Sequence, residues 1–144
     1  MPSYWILKTE PSAYSFDRLE RERSAVWDGV KNPLALKHLR AMQPGDEVMI
    51  YHTGDEKAVV GTATVATGSY PDPKAKDPAL VVVDLKAGKR LPQPVPLSVI
   101  KADPVFKDIA LVRMPRLSVV PATAVHWSRL LGLSGGRGEG GKRG

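Results

Sequence analysis

Apolar residues in this chain come in short runs, broken by prolines and small polar clusters. Residues 4–8 (YWILK) form an aromatic and β-branched run, which predicts a strand. Ser15 predicts the N-cap of a short helix reaching about Glu22, with Phe16 and Leu19 on one face. Asn32 predicts a second cap. Pro33 takes the first helical position there, and Leu34, Leu36, Leu39 and Met42 supply apolar residues over more than two turns. Pro44-Gly45-Asp46 reads as a turn. Residues 47–53 and 58–68 read as Val- and Thr-rich strands joined by a hairpin at Gly54-Asp55-Glu56. Residues 70–78 (YPDPKAKDP) predict a rigid polar loop before a strand at 80–85. Short helical pieces are expected at 96–102 and 104–112, a last strand at 117–120, and a final helix opened by Thr123 with Trp127, Leu130 and Leu131. Strands with short helical insertions and no βαβ alternation predict a small, mixed, barrel-like α+β domain.

Composition sharpens this picture. The 144 residues amount to one domain, long enough to bury a core without staples. Thirteen of them are proline, which leaves long helices almost nowhere to run. The chain has no cysteine, which excludes a disulfide scaffold, a thiol nucleophile and every cysteine-ligated metal site. No apolar run is long enough to span a membrane, and the N-terminus shows no secretory pattern. A monomeric cytoplasmic protein is expected. The segment from Gly132 onward holds seven glycines in thirteen residues, so residues 1–133 are expected to form the domain and 134–144 a flexible tail or a weak phosphate-tracking arm.

The formal charge of +6 is uneven. Residues 1–60 carry 8 basic and 9 acidic side chains, residues 61–131 carry 10 and 5, and residues 132–144 carry 3 and 1. A basic second half is the footprint of a polyanion partner. Enzymatic signatures are missing: the chain has no phosphate loop, no dinucleotide fingerprint and no nucleophile elbow. His38, His52 and His126 fall on three different predicted elements, so neither a metal site nor a bound cofactor is expected. His38 is expected to be solvated. His52 reads either as a core histidine or as the base of a small enzyme working with a carboxylate. Glu10, Asp28, Asp46 and Asp103 all border turns, where capping is their default role.

Polar residues in aromatic settings at strand ends are the distinctive feature. Lys8, Thr9 and Glu10 stand where the first strand stops at Pro11, and Trp27 stands beside an Asp28-Gly29 turn with Asn32 three residues on. Trp27 reads as a ring face lining a cleft or as plain core. Asn32 reads as a reader of base edges or as a helix cap.

In order along residues 4–133, the blocks YWILKTEPSAYSFDRL, VWDGVKNPLALKHLRAMQPGDEVMIYHT, VVGTATV, YPDP, KADPVFKDIALVRMPRLSVVP and HWSRLLGL resemble the EVE domain family. The resemblance implies a PUA-like fold, a mixed β-barrel of about five to six strands with short peripheral helices. It also implies a pocket for a modified nucleobase, modified cytosine in DNA or a modified base in RNA. The matching blocks place Lys8, Thr9, Glu10, Trp27, Asn32, Tyr51, His52, Leu117 and Ser118 around that pocket. Lys31, Leu34 and Met114 depart from residues common in the family, and Lys31 in particular replaces a planar guanidinium by a point charge. The expected function is a non-catalytic nucleic-acid-binding module, with Lys31, Lys74, Lys76, Lys101, Arg113 and Arg116 holding phosphates. The alternative is a small enzyme acting on a nucleotide-like molecule.

Overall fold

The computed structural model describes residues 2–135. Six strands form one mixed sheet: β1 (Tyr4–Thr9), β2 (Ser24–Trp27), β3 (Glu47–His52), β4 (Ala58–Pro71), β5 (Val81–Pro96) and β6 (Val119–Ala122). The hydrogen-bonded order is β2-β5-β4-β3-β1-β6. β1 and β3 run parallel, and every other pairing is antiparallel. Around the sheet lie α1 (Phe16–Glu22), α2 (Pro33–Ala41), α3 (Leu97–Ala102), a 3-10 turn (Pro104–Phe106), α4 (Ala110–Arg113) and α5 (Ala124–Leu133).

The helix starts expected at Ser15, Asn32 and Thr123 are all present. The Ser15 hydroxyl accepts from Arg18 N–H, and Asn32 Oδ1 accepts from Ala35 N–H at 3.0 Å with Pro33 in the first turn. Trp5, Ile6 and Leu7 on β1 and Val48, Met49 and Ile50 on β3 are all buried, because these central strands are covered on both faces. Asp46, in the expected turn, ties the starts of the two strands together. Its carboxylate accepts from Ser3 N–H, Trp5 Nε1–H and Gln43 N–H at 2.9–3.0 Å. Burial alone would raise the Asp46 pKa, but those three hydrogen bonds outweigh it and hold the carboxyl below its ordinary value.

The sheet is bent rather than flat. Pairing of β4 with β5 changes register at four places, and each irregularity adds twist. Gly61 on β4 lies directly under the Phe16 ring, so a side chain there would collide with the core of α1.

Several elements differ from expectation: β4 runs on to Pro71, into the expected loop, and the helical piece expected at 104–112 is split into the 3-10 turn and α4. β2 was hidden in SAVW, which is short and half exposed. β5 continues to residue 96 through Pro92, Pro94 and Pro96, instead of stopping at 85. Its partners jump from Gly61↔Arg90 to Val59↔Val95, so Pro92 and Pro94 fall where the ladder is interrupted and their missing N–H groups cost little. β6 begins two residues later than expected, and Pro121 is accommodated because β6 is an edge strand. Ser134, expected in the tail, is buried at the end of α5. It donates its hydroxyl to Leu131 O, and its own carbonyl accepts from Gln93 N–H at 3.1 Å. Gly135 follows with its N–H donating to Gly132 O, and residues 136–144 of the expected tail lie outside the described residues.

Candidate functional site

β2 and β6 are opposite edges of the hydrogen-bonded order, yet Trp27 of β2 and Ser118, next to β6, line the same cleft. The sheet therefore curls until its two edges face one gap, and the cleft of about 580 Å³ occupies that gap. Its walls come from the end of β1 and the following loop (Lys8, Thr9, Ala13, Tyr14), from α1 (Arg18, Glu22), and from β2 (Ala25, Val26, Trp27). The 28–31 turn, Lys74 and Ser118 complete it. Gly29 turns the chain away from β2 with a φ of 79°, a conformation open to glycine at little cost.

Trp27 is 7% exposed and belongs to the core, meeting Tyr14 edge-on at 5.9 Å. The indole thus offers the cleft a narrow strip and not the open face that the sequence allowed. Val26 beside it is 51% exposed and adds apolar surface. Tyr14 carries a polar chain along the wall: its hydroxyl donates to Glu22 Oε1 at 2.7 Å, and Arg18 Nε donates to Glu22 Oε2 at 3.1 Å while its guanidinium covers the Tyr14 ring. Burial, with the Glu22 hydrogen bond and charge, pushes the Tyr14 phenol up to about 12. Lys8 donates to Pro115 O at 2.9 Å above the Tyr51 ring, and burial lowers the pKa of its ammonium. Arg18 has Glu22 as its partner. Among the described residues, Lys8, Lys31 and Lys74 have no carboxylate within ion-pair distance.

Of the expected pocket residues, Lys8, Thr9, Trp27 and Ser118 line this cleft, and Tyr51 lies buried below Lys8. Asn32 and Leu117 line a neighbouring groove of about 690 Å³, together with Pro33, Leu34, Arg113, Met114, Pro115 and Arg116. Glu10 is not in the cleft. Its carboxylate folds back onto Ser12 N–H and Oγ–H, as expected of a residue at a turn. His52 is not in the cleft either. Neighbours on a strand face opposite ways, so with Tyr51 toward the cleft side His52 points to a separate hollow with Asp17, Glu56 and Arg90. There its Nε2 accepts from Phe16 N–H at 2.9 Å and its Nδ1 lies 2.7 Å from Glu56 Oε1. A backbone N–H can only donate, so the proton sits on Nδ1 and is given to Glu56. The carboxylate partner imagined for an enzymatic His52 is present, but both ring nitrogens are used in holding α1 and the hairpin. His38 is half-buried against the Trp5 ring instead of solvated. His126 closes a capping box with Thr123.

Of the expected phosphate contacts, Lys31 and Lys74 rim the cleft, and Arg113 and Arg116 rim the groove. Lys76 shares the exposed loop with Lys74. Lys101 lies in the last turn of α3, which packs on β5 and the 3-10 turn, and it lines neither depression. Tyr14, Arg18, Glu22 and Val26 also line the cleft, and nothing local in the sequence marks them as site residues. The Arg18/Glu22 spacing of four on a helix was visible, but only the curl of the sheet brings that pair to β2. Among the described residues no group of His, Asp and Glu could hold a metal, and no helix is long and apolar enough to cross a membrane.

The family model of the EVE domain matches residues 3–133. The chain belongs to the EVE domain family. Thymocyte nuclear protein 1 of Mus musculus is 28% identical, with 92% of this chain and 74% of that protein covered. A solved protein of Rhodopseudomonas palustris is 39% identical with a TM-score of 0.87, over 92% of this chain and 93% of its own. The human THYN1 protein, solved in complex with 5-methylcytosine-containing DNA, is 26% identical with a TM-score of 0.84, over 92% of this chain and 97% of its own. The curled sheet with peripheral helices is thus the PUA-like α+β fold that the resemblance implied.

Proposed function

We propose that this EVE domain is a non-catalytic nucleic-acid-binding module that holds a modified base in the cleft between the edges of its sheet. The observation that carries the proposal is the human THYN1 protein in complex with 5-methylcytosine-containing DNA, a structure that this chain matches over nearly its whole length. The cleft supports the same reading. Val26 and the strip of Trp27 give a base apolar contact, Thr9 and Ser118 give it polar partners, and Lys31 and Lys74 are placed for the flanking phosphates. Modified cytosine in DNA is the first target in this reading, and modified bases in RNA are the second.

Fluorescence anisotropy with short strands carrying one central 5-methylcytosine or cytosine, as DNA and as RNA, tests it. The modified strand should bind more tightly, and Lys74→Ala should weaken modified and unmodified strands alike, since phosphate contacts carry no base identity. Equal affinity for modified and unmodified strands in both backbones would refute the reading.

A further inference from the structure

Beside the cleft lies a separate groove, lined by Asn32 and Met114 among others, that shares no lining residue with it. The two depressions are continuous in sequence at both sides: Lys31 lines one and Asn32 the other, and Ser118 lines one and Leu117 the other. The groove has an apolar floor in which Met114 is 44% exposed beside Leu34. Its polar side chains are all donors. Asn32 spends Oδ1 on the Ala35 N–H, which leaves its Nδ2 amino group. Arg116 has no carboxylate partner among the described residues, and Arg113 comes only within 3.8 Å of Asp108, with both side chains exposed.

We propose that this groove is a second nucleotide subsite that takes the base adjacent to the one held in the cleft and prefers guanine there. The proposal rests on the reading of the cleft as the base site. An exposed thioether and a leucine suit the flat face of a base, whereas the surrounding cations suit its phosphate. A lining of donors selects a base edge made of acceptors. Guanine presents O6 and N7 together, whereas adenine replaces one acceptor by an amino donor. The chain would then read a two-nucleotide step instead of a single base.

The test uses single strands with one central 5-methylcytosine whose 3′ or 5′ neighbour is guanine, adenine or an abasic site. Each is titrated against the parent, Met114→Ala, Arg116→Ala, and Val125→Ala as a surface control. On one side of the modified base, guanine should bind at least about fivefold more tightly than the abasic site, the lower end of what one stacked base contributes. Met114→Ala and Arg116→Ala should flatten that difference to within about twofold, while keeping the preference for 5-methylcytosine over cytosine and an unchanged melting temperature. Both side chains are exposed, so the fold should tolerate their removal. If all neighbours bind alike while the preference for 5-methylcytosine persists, the second subsite is wrong and the cleft reading stands. If the parent shows no preference for 5-methylcytosine, the cleft reading fails and the subsite falls with it.

Discussion

Single side chains in this protein hold shape and site together, and their substitutions separate the two. Trp27 sits in the core, so Trp27→Ala should cost about 3–5 kcal/mol of stability. Trp27→Phe keeps the apolar contact with Tyr14 and is the cleaner probe of binding. Asp46 shows a second kind of dependence. Its folded pKa lies below the ordinary 3.8, so its contribution is fully present above that value and is lost as pH falls through the folded pKa. Asp46→Asn should therefore cost about 1.5–3 kcal/mol at neutral pH, the usual worth of a hydrogen bond to a charged group, and much less in acid. Urea unfolding at both pH values checks this. On the cleft wall, Glu22→Gln removes the charged acceptor of the Tyr14 hydroxyl. The Tyr14 phenol should then titrate below about 12. Tyr70, raised to about 12 by Asp84, should not move, and a carbon-detected NMR titration of the tyrosine rings separates them.

At the level of elements, the legible parts were those with a local signal. Both helix caps, the 3.6-residue pattern of α2, the hairpin after β3 and the Asp46 turn all follow from neighbours in sequence. β2 and the far half of β5 were not legible, because a four-residue half-exposed strand and a proline-rich stretch acquire their pairing only from partners distant in sequence, the near half of β5 and the start of β4. The same holds for the site. Lys8, Thr9, Trp27 and Ser118 were found, but Tyr51 and His52 are strand neighbours on opposite faces of β3, and only the curl of the sheet decides which face meets the cleft. His52 belongs to the architecture of α1. His52→Ala should leave the Phe16 N–H unpaired in the interior and cost about 1–3 kcal/mol, with oligonucleotide affinity unchanged once the variant is folded. Asn32 has a cap to hold, and Asn32→Ala should cost about 0.5–2 kcal/mol by thermal unfolding, whereas Asn32→Ser should recover most of it.

Across the whole molecule, the sheet's curl does what no single element does: it brings opposite edges to one cleft and sets along its rim lysines with no carboxylate partner among the described residues. Binding should weaken steeply with salt, and Lys74→Ala should reduce the slope of log affinity against log salt by about 0.7 for a single strand. The central claim is that this gap, and neither the His52 hollow nor the outer helices, receives the base. An NMR titration of the labelled chain with a short 5-methylcytosine-containing strand tests it most directly. The account predicts that the largest shifts fall on the amides of Thr9, Val26, Gly29 and Ser118 and on the Trp27 indole N–H. Shifts gathered around His52, Glu56 and Arg90, with those cleft signals unmoved, would contradict it.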